Sequence, residues 1–125
     1  MQKLEPLVAK SKEELIQDEY LKDIIERNLE IAVQACIDIC NRIISVEELE
    51  KPKDYFEAIL RLGENNILPY EFAQKISPIA GFRNILIHEY IDINWDEVYK
   101  NLQNIEDFYQ FINYISQWLA AKSKL

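Results

Sequence analysis

The chain has 125 residues, of which 49% are hydrophobic and 29% charged, the composition of one folded domain and not of a disordered segment. Two glycines and four prolines leave little material for hairpins, which argues against an all-β fold. The formal net charge of −8 argues against broad electrostatic capture of nucleic acid, and no DNA partner is expected. No apolar run approaches the ~20 residues of a membrane span and the N-terminus lacks a signal-peptide core, so we expect a cytoplasmic protein without a membrane partner.

The first residues are expected to form little regular structure. Pro6 interrupts residues 1–10, so any first helix there is brief or broken. Ser11 and Glu14 have the spacing of a capping box, which predicts a short helical turn over residues 12–16.

A long helix is predicted next, with Asp18 as its N-cap and residues 19–45 as its length. Cys36 and Cys40 lie four residues apart in it, a poor geometry for a disulfide, and two thiols with one distant histidine do not make a zinc site. Both are therefore expected to be reduced core side chains. Apolar residues recur every three or four positions and predict a core-facing stripe: Leu21, Ile24, Ile25, Ala32, Ala35, Cys36, Ile39 and Ile43.

Prolines and a glycine divide the middle of the chain. Pro52 is expected to open a helix that runs to about Leu62 and ends at Gly63. Pro69 opens the next helix, and Pro78 within it should kink it or split it in two. The residues predicted to face the core are Tyr55, Ile59 and Leu62 in the first helix, and Phe72, Ile76, Ile79, Phe82 and Leu86 in the second.

A last helix is predicted over residues 95–121, after a capping box formed by Asn94 and Glu97. Tyr114 and Trp118 widen its apolar surface, which fits a subunit interface and a wide core face equally well. Together the segments predict a single all-α domain, residues 1–125, folded as an antiparallel bundle of four to five helices. The predicted seam of the last helix is Val98, Leu102, Ile105, Phe108 or Tyr109, Ile112, Ser116 and Leu119.

The candidate functional residues lie between Gly81 and Tyr90. This stretch holds the only histidine, His88, with Arg83 five residues before it and Tyr90 two residues after it. On a straight helix Asn84 and His88 share a stripe, whereas Arg83 and His88 are about 140° apart and would meet only in a groove made with a second surface. An arginine near a group that titrates close to neutrality suits the handling of a phosphate or another anion.

The same residues also permit a structural interpretation. A lone histidine on a helix is more often a hydrogen-bonded structural residue, and Arg83 and His88 would then simply pair with carboxylates. The local charge is compatible with an anion site, because residues 65–88 carry a net charge of +1 from Glu71, Lys75 and Arg83.

Two stretches and the final amphipathic helix carry a family resemblance that covers nearly the whole chain beyond Glu13. The first stretch is Glu-Arg-Asn-Leu at positions 26–29, followed by Ala-Cys-Ile-Asp-Ile at 35–39. The second covers residues 68–90 and ends in the pattern Arg-Asn-x3-His-x-Tyr. These stretches resemble the HepT-like family of the HEPN superfamily, toxins that are paired with a minimal nucleotidyltransferase antitoxin. The N-terminus departs from the family, which usually has a longer first helix.

The resemblance implies a HEPN-like bundle with a kinked motif-bearing helix, and a homodimer whose two motifs face each other across a cleft that cleaves RNA without a metal or other cofactor. His88 would act as general base or acid, Arg83 would stabilise charge on the transferring phosphate, and Asn84 would orient His88 or a phosphate oxygen. Tyr90 resembles the tyrosine to which an MntA-like antitoxin transfers AMP.

One further alternative is a non-catalytic helical subunit that binds a minimal nucleotidyltransferase or a nucleotide. The acidic composition fits this alternative more comfortably than it fits an RNA-binding enzyme. The position of a dimer axis distinguishes the catalytic from the non-catalytic interpretation, because catalysis requires both copies of His88 at one shared groove.

Overall fold

The computed structural model describes residues 3–88 and 94–123, with the side chains of residues 87 and 88 excepted. All regular elements in these ranges are helical, so the predicted all-α fold is confirmed. No helix within them has both the length and the apolar character that a bilayer span requires. A 3-10 helix, Glu5–Leu7, precedes seven α-helices: α1 Lys12–Ile16, α2 Glu19–Val46, α3 Tyr55–Glu64, α4 Tyr70–Ile76, α5 Ile79–His88, α6 Trp95–Gln103 and α7 Glu106–Ser123.

Helix α2 is the centre of the fold and packs against α1, α3, α5, α6 and α7. It begins where predicted, because the Asp18 carboxylate accepts hydrogen bonds from the backbone N–H groups of Tyr20 and Leu21 at 3.0 and 3.2 Å. Helices surround it on several sides, so its buried face is wider than the predicted stripe and is rotated from it. Ala35 is exposed, and the buried residues are Ile25, Leu29, Val33, Cys36, Ile37, Cys40, Ile43 and Ile44.

Cys36 and Cys40 are buried free thiols, as predicted. Burial raises the pKa of Cys36 to about 12, and burial together with the neighbouring Cys36 raises the pKa of Cys40 as well. Both thiols are therefore protonated at neutral pH, which excludes a nucleophilic role and leaves them as small core side chains.

The N-terminal turn also follows its sequence signals. Pro6 lies in the 3-10 helix, and the first α-helix is the short α1. Ser11 and Glu14 form the predicted capping box, with each side chain bonded to the other residue's backbone N–H at 3.2 Å. Both predictions for this region are confirmed.

Helix α3 differs from the prediction at both ends. It begins at Tyr55, because Asp54 and not Pro52 provides the N-terminal cap by accepting from the backbone N–H of Glu57 at 2.8 Å. It also continues through Gly63 to Glu64. Gly63 is thus not a helix terminator: a Cβ atom there would lie 2.7 Å from the Cβ of Ala73 in α4, so the glycine permits the close packing of α3 on α4.

Replacing Gly63 by alanine is expected to lower the free energy of unfolding by about 1 kcal/mol, since overpacking typically costs ~1–3 kcal/mol and the gain in helix propensity offsets at most ~1 kcal/mol of this cost. The matched control is Gly81→Ala in α5, where the new Cβ meets no atom within 4 Å and should stabilise the helix. Urea denaturation of the three proteins measures the difference. Equal stabilisation by both alanines would contradict the close approach at Gly63.

Pro78 divides the predicted motif-bearing helix into α4 and α5, so the predicted split is confirmed. The buried Ser77 occupies the junction, and its hydroxyl donates to the carbonyl of Gln74 at 3.0 Å. All five residues predicted to face the core from these two helices are buried: Phe72, Ile76, Ile79, Phe82 and Leu86.

The last predicted helix is interrupted, which the sequence did not indicate. Asn94 is the N-cap of α6 as predicted, but its side chain accepts from the backbone N–H of Asp96 at 2.9 Å and not from that of Glu97, as the predicted capping box requires. The chain between α6 and α7 makes tight turns in which Asn104 and Ile105 each bond the carbonyl three residues earlier. Such turns advance the chain by more degrees per residue than an α-helix, so they rotate the buried face of α7. The predicted seam is wrong beyond Phe108, since Ile112 and Leu119 are 51% and 50% exposed; the buried residues of α7 are Phe108, Phe111 and Ile115.

Tyr114 and Trp118 are both partly buried against the core. The ring of Tyr114 packs edge-on against Phe72, with 4.9 Å between the ring centroids. These contacts within one chain favour the wide core face over the subunit interface for this pair.

Candidate functional site

The side chain of Arg83 is held by residues from two other helices. Its Nε donates to Oε1 of Gln34 in α2 at 2.6 Å, and its guanidinium carbon lies 4.7 Å from the ring centroid of Tyr55 in α3. Both helices pack against α5, so the fold fixes the position of this half-buried arginine. The hydrogen bond and the cation–π contact use Nε and one face of the guanidinium.

Gln34 is itself fixed. Its Nε2 donates to Oδ1 of Asp38, one turn further along α2, at 2.8 Å. Because this bond uses the amide nitrogen, the amide oxygen is directed toward Arg83. We refer to Gln34, Asp38 and Tyr55 as the Arg83 clamp.

The clamp leaves the positive charge of Arg83 without a direct counter-ion in the described part of the chain. Arg61 provides a contrast within the same protein: it is buried and bonds Glu57 and Glu64 at 2.6 and 2.8 Å. Arg61 is thus neutralised by structural ion pairs, whereas Arg83 is bound by a neutral amide and an aromatic ring. An anion from outside is a suitable partner for its remaining donors.

Asn84 and His88 lie on a different side of α5 from Arg83. Helix α5 is uninterrupted from Ile79 to His88, so the angle of about 140° between positions 83 and 88 on a straight helix applies. Asn84 is exposed. The side chain of His88 and the whole of Tyr90 lie outside the described residues, and their proposed roles stay predictions.

The sequence did not reveal the Arg83 clamp. Gln34 and Arg83 are 49 positions apart, and spacing along one helix carries no signal for such a contact. Tyr55 was predicted to face the core, but it is 37% exposed because its ring lies against Arg83 at the surface. The one local signal was the Gln34–Asp38 pair, whose i, i+4 spacing favours a side-chain hydrogen bond on a helix.

Metal ligands are not clustered in the part of the chain that the structure covers: no group of three or more histidine, cysteine, aspartate or glutamate side chains is arranged to hold an ion there. The described residues offer one clear possibility for chemistry, the recognition of an anion by Arg83, with the exposed amide of Asn84 nearby on α5.

Comparison with known proteins agrees with this fold and with the family resemblance. The family model described as Ribonuclease HepT-like matches residues 1–115. The mRNA nuclease HepT of Shewanella oneidensis is 35% identical over 100 residues, which cover 79% of this chain and 75% of that protein. The tRNA nuclease HepT of Aphanizomenon flos-aquae is 32% identical, over 97% of this chain and 96% of that protein.

The fold is also similar to a solved structure. The tri-AMPylated HEPN toxin of Shewanella oneidensis, in complex with an MNT antitoxin, superposes with a TM-score of 0.77 and 32% identity over 89% of this chain and 84% of that chain. The resemblance predicted from the Arg-Asn-x3-His-x-Tyr stretch is thereby confirmed, and the chain belongs to the HepT-like ribonuclease family.

Proposed function

We propose that this protein is the toxin of a toxin–antitoxin pair, a metal-independent endoribonuclease that acts as a homodimer in the cytoplasm. One observation carries the proposal: Arg83, on the same helix as His88, is fixed by two neutral side chains and has no direct counter-ion among the described residues, so its charge is available to a phosphodiester. The relatives named as mRNA and tRNA nucleases support the same activity.

The chemistry assigns complementary roles to the two side chains. The imidazole of His88 takes the proton of a ribose 2′-hydroxyl, and the resulting oxyanion attacks the adjacent phosphorus. The bond to the 5′-oxygen breaks, and the leaving oxygen takes up a proton from an imidazolium. The guanidinium of Arg83 binds the non-bridging phosphate oxygens, whose negative charge increases in the transition state. Asn84 orients the imidazole or a phosphate oxygen.

A dimer supplies the geometry that one helix lacks. Positions 83 and 88 are about 140° apart on α5, so a single copy presents them in different directions. A cleft between two copies brings the arginine of one subunit close to the histidine of the other, and a phosphodiester can then contact both. The proposed active unit is therefore the homodimer.

The antitoxin is proposed to be an MntA-like nucleotidyltransferase that transfers AMP to Tyr90. The related HEPN toxin in complex with its MNT antitoxin is tri-AMPylated. Tyr90 follows His88 by two residues in the sequence, so an adenylate there would lie near the proposed cleft. Each added phosphate brings negative charge toward Arg83, and the bulk of the nucleotide obstructs the RNA.

A non-catalytic partner subunit is the second candidate, and the net charge of −8 favours it. A surface with this charge repels the RNA backbone at long range and provides no steering field. This candidate predicts binding to the nucleotidyltransferase without cleavage of RNA by the unmodified chain.

Incubation with ATP and the cognate nucleotidyltransferase is expected to add AMP to Tyr90. The unmodified protein should cleave total RNA, and the modified protein should not. The Tyr90→Phe variant should stay unmodified and active, because it lacks the hydroxyl that accepts the nucleotide. Peptide mass spectrometry and an RNA gel measure the two results. Tyr70→Phe, at an exposed tyrosine on α4, is the matched control and should be modified as the parent is. Equal modification of the Tyr90→Phe chain would refute the assignment, and a parent that leaves RNA intact would favour the non-catalytic subunit.

A further inference from the structure

A pocket of about 350 Å³ lies beside α5, between the α4–α5 junction and helices α6 and α7. Gly81 and Ile85 form its α5 wall, on a side of the helix different from that of Arg83, which contacts α2 and α3. Its volume is near the lower end of the ~300–1,000 Å³ range of small-molecule sites and suits one nucleoside-sized group. Its floor is apolar, from residues that include Ile76, Phe82 and Phe108, and its polar residues include Lys100, Asn101 and Asn104.

Gly81 is the first indication that the pocket receives a ligand. A glycine inside a helix costs roughly 0.5–1 kcal/mol relative to alanine, so it usually has a packing reason. Gly63 has such a reason in Ala73, but a Cβ at Gly81 would meet no atom within 4 Å. The packing of the residues that the structure describes therefore gives no reason for a glycine at position 81, and the missing side chain leaves one wall of the pocket open.

The polar groups around the pocket suit an uncharged ring with hydrogen-bonding edges. Asn101 uses its Nδ2 to bond the carbonyl of Glu97 at 2.9 Å, which leaves its Oδ1 as an acceptor. Asn104 is exposed, and its amide offers both donors and an acceptor. Lys75 and Asp107 neutralise each other at 3.1 Å, and the carboxylate of Glu97 offsets the charge of the exposed Lys100, so the lining carries no net charge.

We propose that this pocket binds one base of the single-stranded RNA substrate, next to the phosphodiester that is cleaved; the inference rests on the proposed nuclease function. Proteins that recognise single-stranded RNA bind splayed bases on apolar or aromatic surfaces and contact the base edges with amide groups. On α5, position 88 follows Ile85 by three residues, a rise of about 4.5 Å along the helix. A base in the pocket thus lies one turn from the proposed acid–base residue and sets which nucleotide is adjacent to the cut.

The test uses a short 2′-O-methyl RNA, which is not cleaved, and a set of the same oligonucleotide with one abasic site at each position in turn. Fluorescence anisotropy measures the affinity of the parent, of Gly81→Leu, which fills the pocket, and of Ser116→Leu, the matched control, which adds the same side chain at an exposed position of α7 outside the pocket. Leucine is a better helix former than glycine or serine, so both variants are expected to fold.

In the parent and in Ser116→Leu, one abasic position is expected to weaken binding by about tenfold, the typical effect of losing one bound base. In Gly81→Leu the intact RNA should bind about tenfold more weakly, and the same abasic site should cause no further loss. Asn104→Leu, which removes amide contacts at the pocket, should also reduce the dependence on that base.

Two results would overturn this inference while leaving the nuclease function intact. One is an active parent whose affinity does not depend on any single base. The other is a Gly81→Leu chain with the same abasic profile as the parent, which would place the base elsewhere. A parent that neither binds nor cleaves RNA would overturn the proposed function and this inference together.

Discussion

Replacing His88 by alanine is expected to abolish cleavage of RNA and to leave the helical content unchanged. General acid–base catalysis typically contributes ~10²–10⁴-fold, and His88 is the only histidine in the chain, so a homodimer of the variant has no imidazole at all. We expect the rate to fall by about a thousandfold or more. The residue lies in α5 and alanine is a better helix former than histidine, so the helix should persist.

The measurement is cleavage of total RNA by the purified parent and the His88→Ala variant side by side, in the presence of EDTA. The chelator binds divalent metal ions, so it inactivates contaminating metal-dependent nucleases and tests whether the cleavage is independent of metal, as proposed. Circular dichroism establishes that the variant is folded. Cleavage by the variant at the parental rate would remove His88 from the mechanism.

Local signals in the sequence were sufficient to predict most of the fold. Asp18, Pro78 and the Ser11–Glu14 capping box act on the backbone within a few residues, so they could be identified from neighbouring positions alone. The all-α class followed from the same signals together with the recurring apolar residues. These features needed no knowledge of which helices meet in space.

The errors lie where contacts between distant residues determine the structure. Glycine is a residue type that often ends helices, so Gly63 was predicted to end α3. It is required for a different reason: Ala73 of α4 lies so close that a side chain at position 63 would collide with it. The interruption before α7 rotates that helix, and this rotation buries Phe111 and exposes Ile112. A periodic pattern read across the interruption therefore followed the wrong face of the helix.

The residues of the candidate site also fall into two groups, those that the sequence could predict and those that it could not. Arg83 and Asn84 could be identified because they belong to one short pattern on one helix. Gln34 and Tyr55 could not, because they reach Arg83 from other helices and make no pattern with it along the chain. The missed contacts explain how an arginine near the surface acquires a fixed orientation, and they determine the expected result of altering it.

Replacing Arg83 by lysine is expected to lower kcat/KM for RNA cleavage by about a hundredfold, although the formal charge is unchanged. Removal of a single donor that stabilises a transition state typically costs ~10²–10³-fold. Lysine lacks the planar fork that binds two phosphate oxygens at once, and it lacks the Nε–H that Gln34 fixes at 2.6 Å in the parent. Its ammonium group is thus neither oriented nor bidentate.

The control for this prediction is Arg42→Lys, an exposed arginine on α2 outside the site, which should cleave RNA as the parent does. Gln34→Ala separates orientation from charge: it leaves the guanidinium in place but removes its hydrogen-bond partner, so we expect a smaller loss, in kcat/KM, than for Arg83→Lys. If the Arg83→Lys protein is as active as the parent, Arg83 contributes only a general positive charge. The clamp formed by Gln34, Asp38 and Tyr55 would then be a feature of packing between α2, α3 and α5 and not of catalysis.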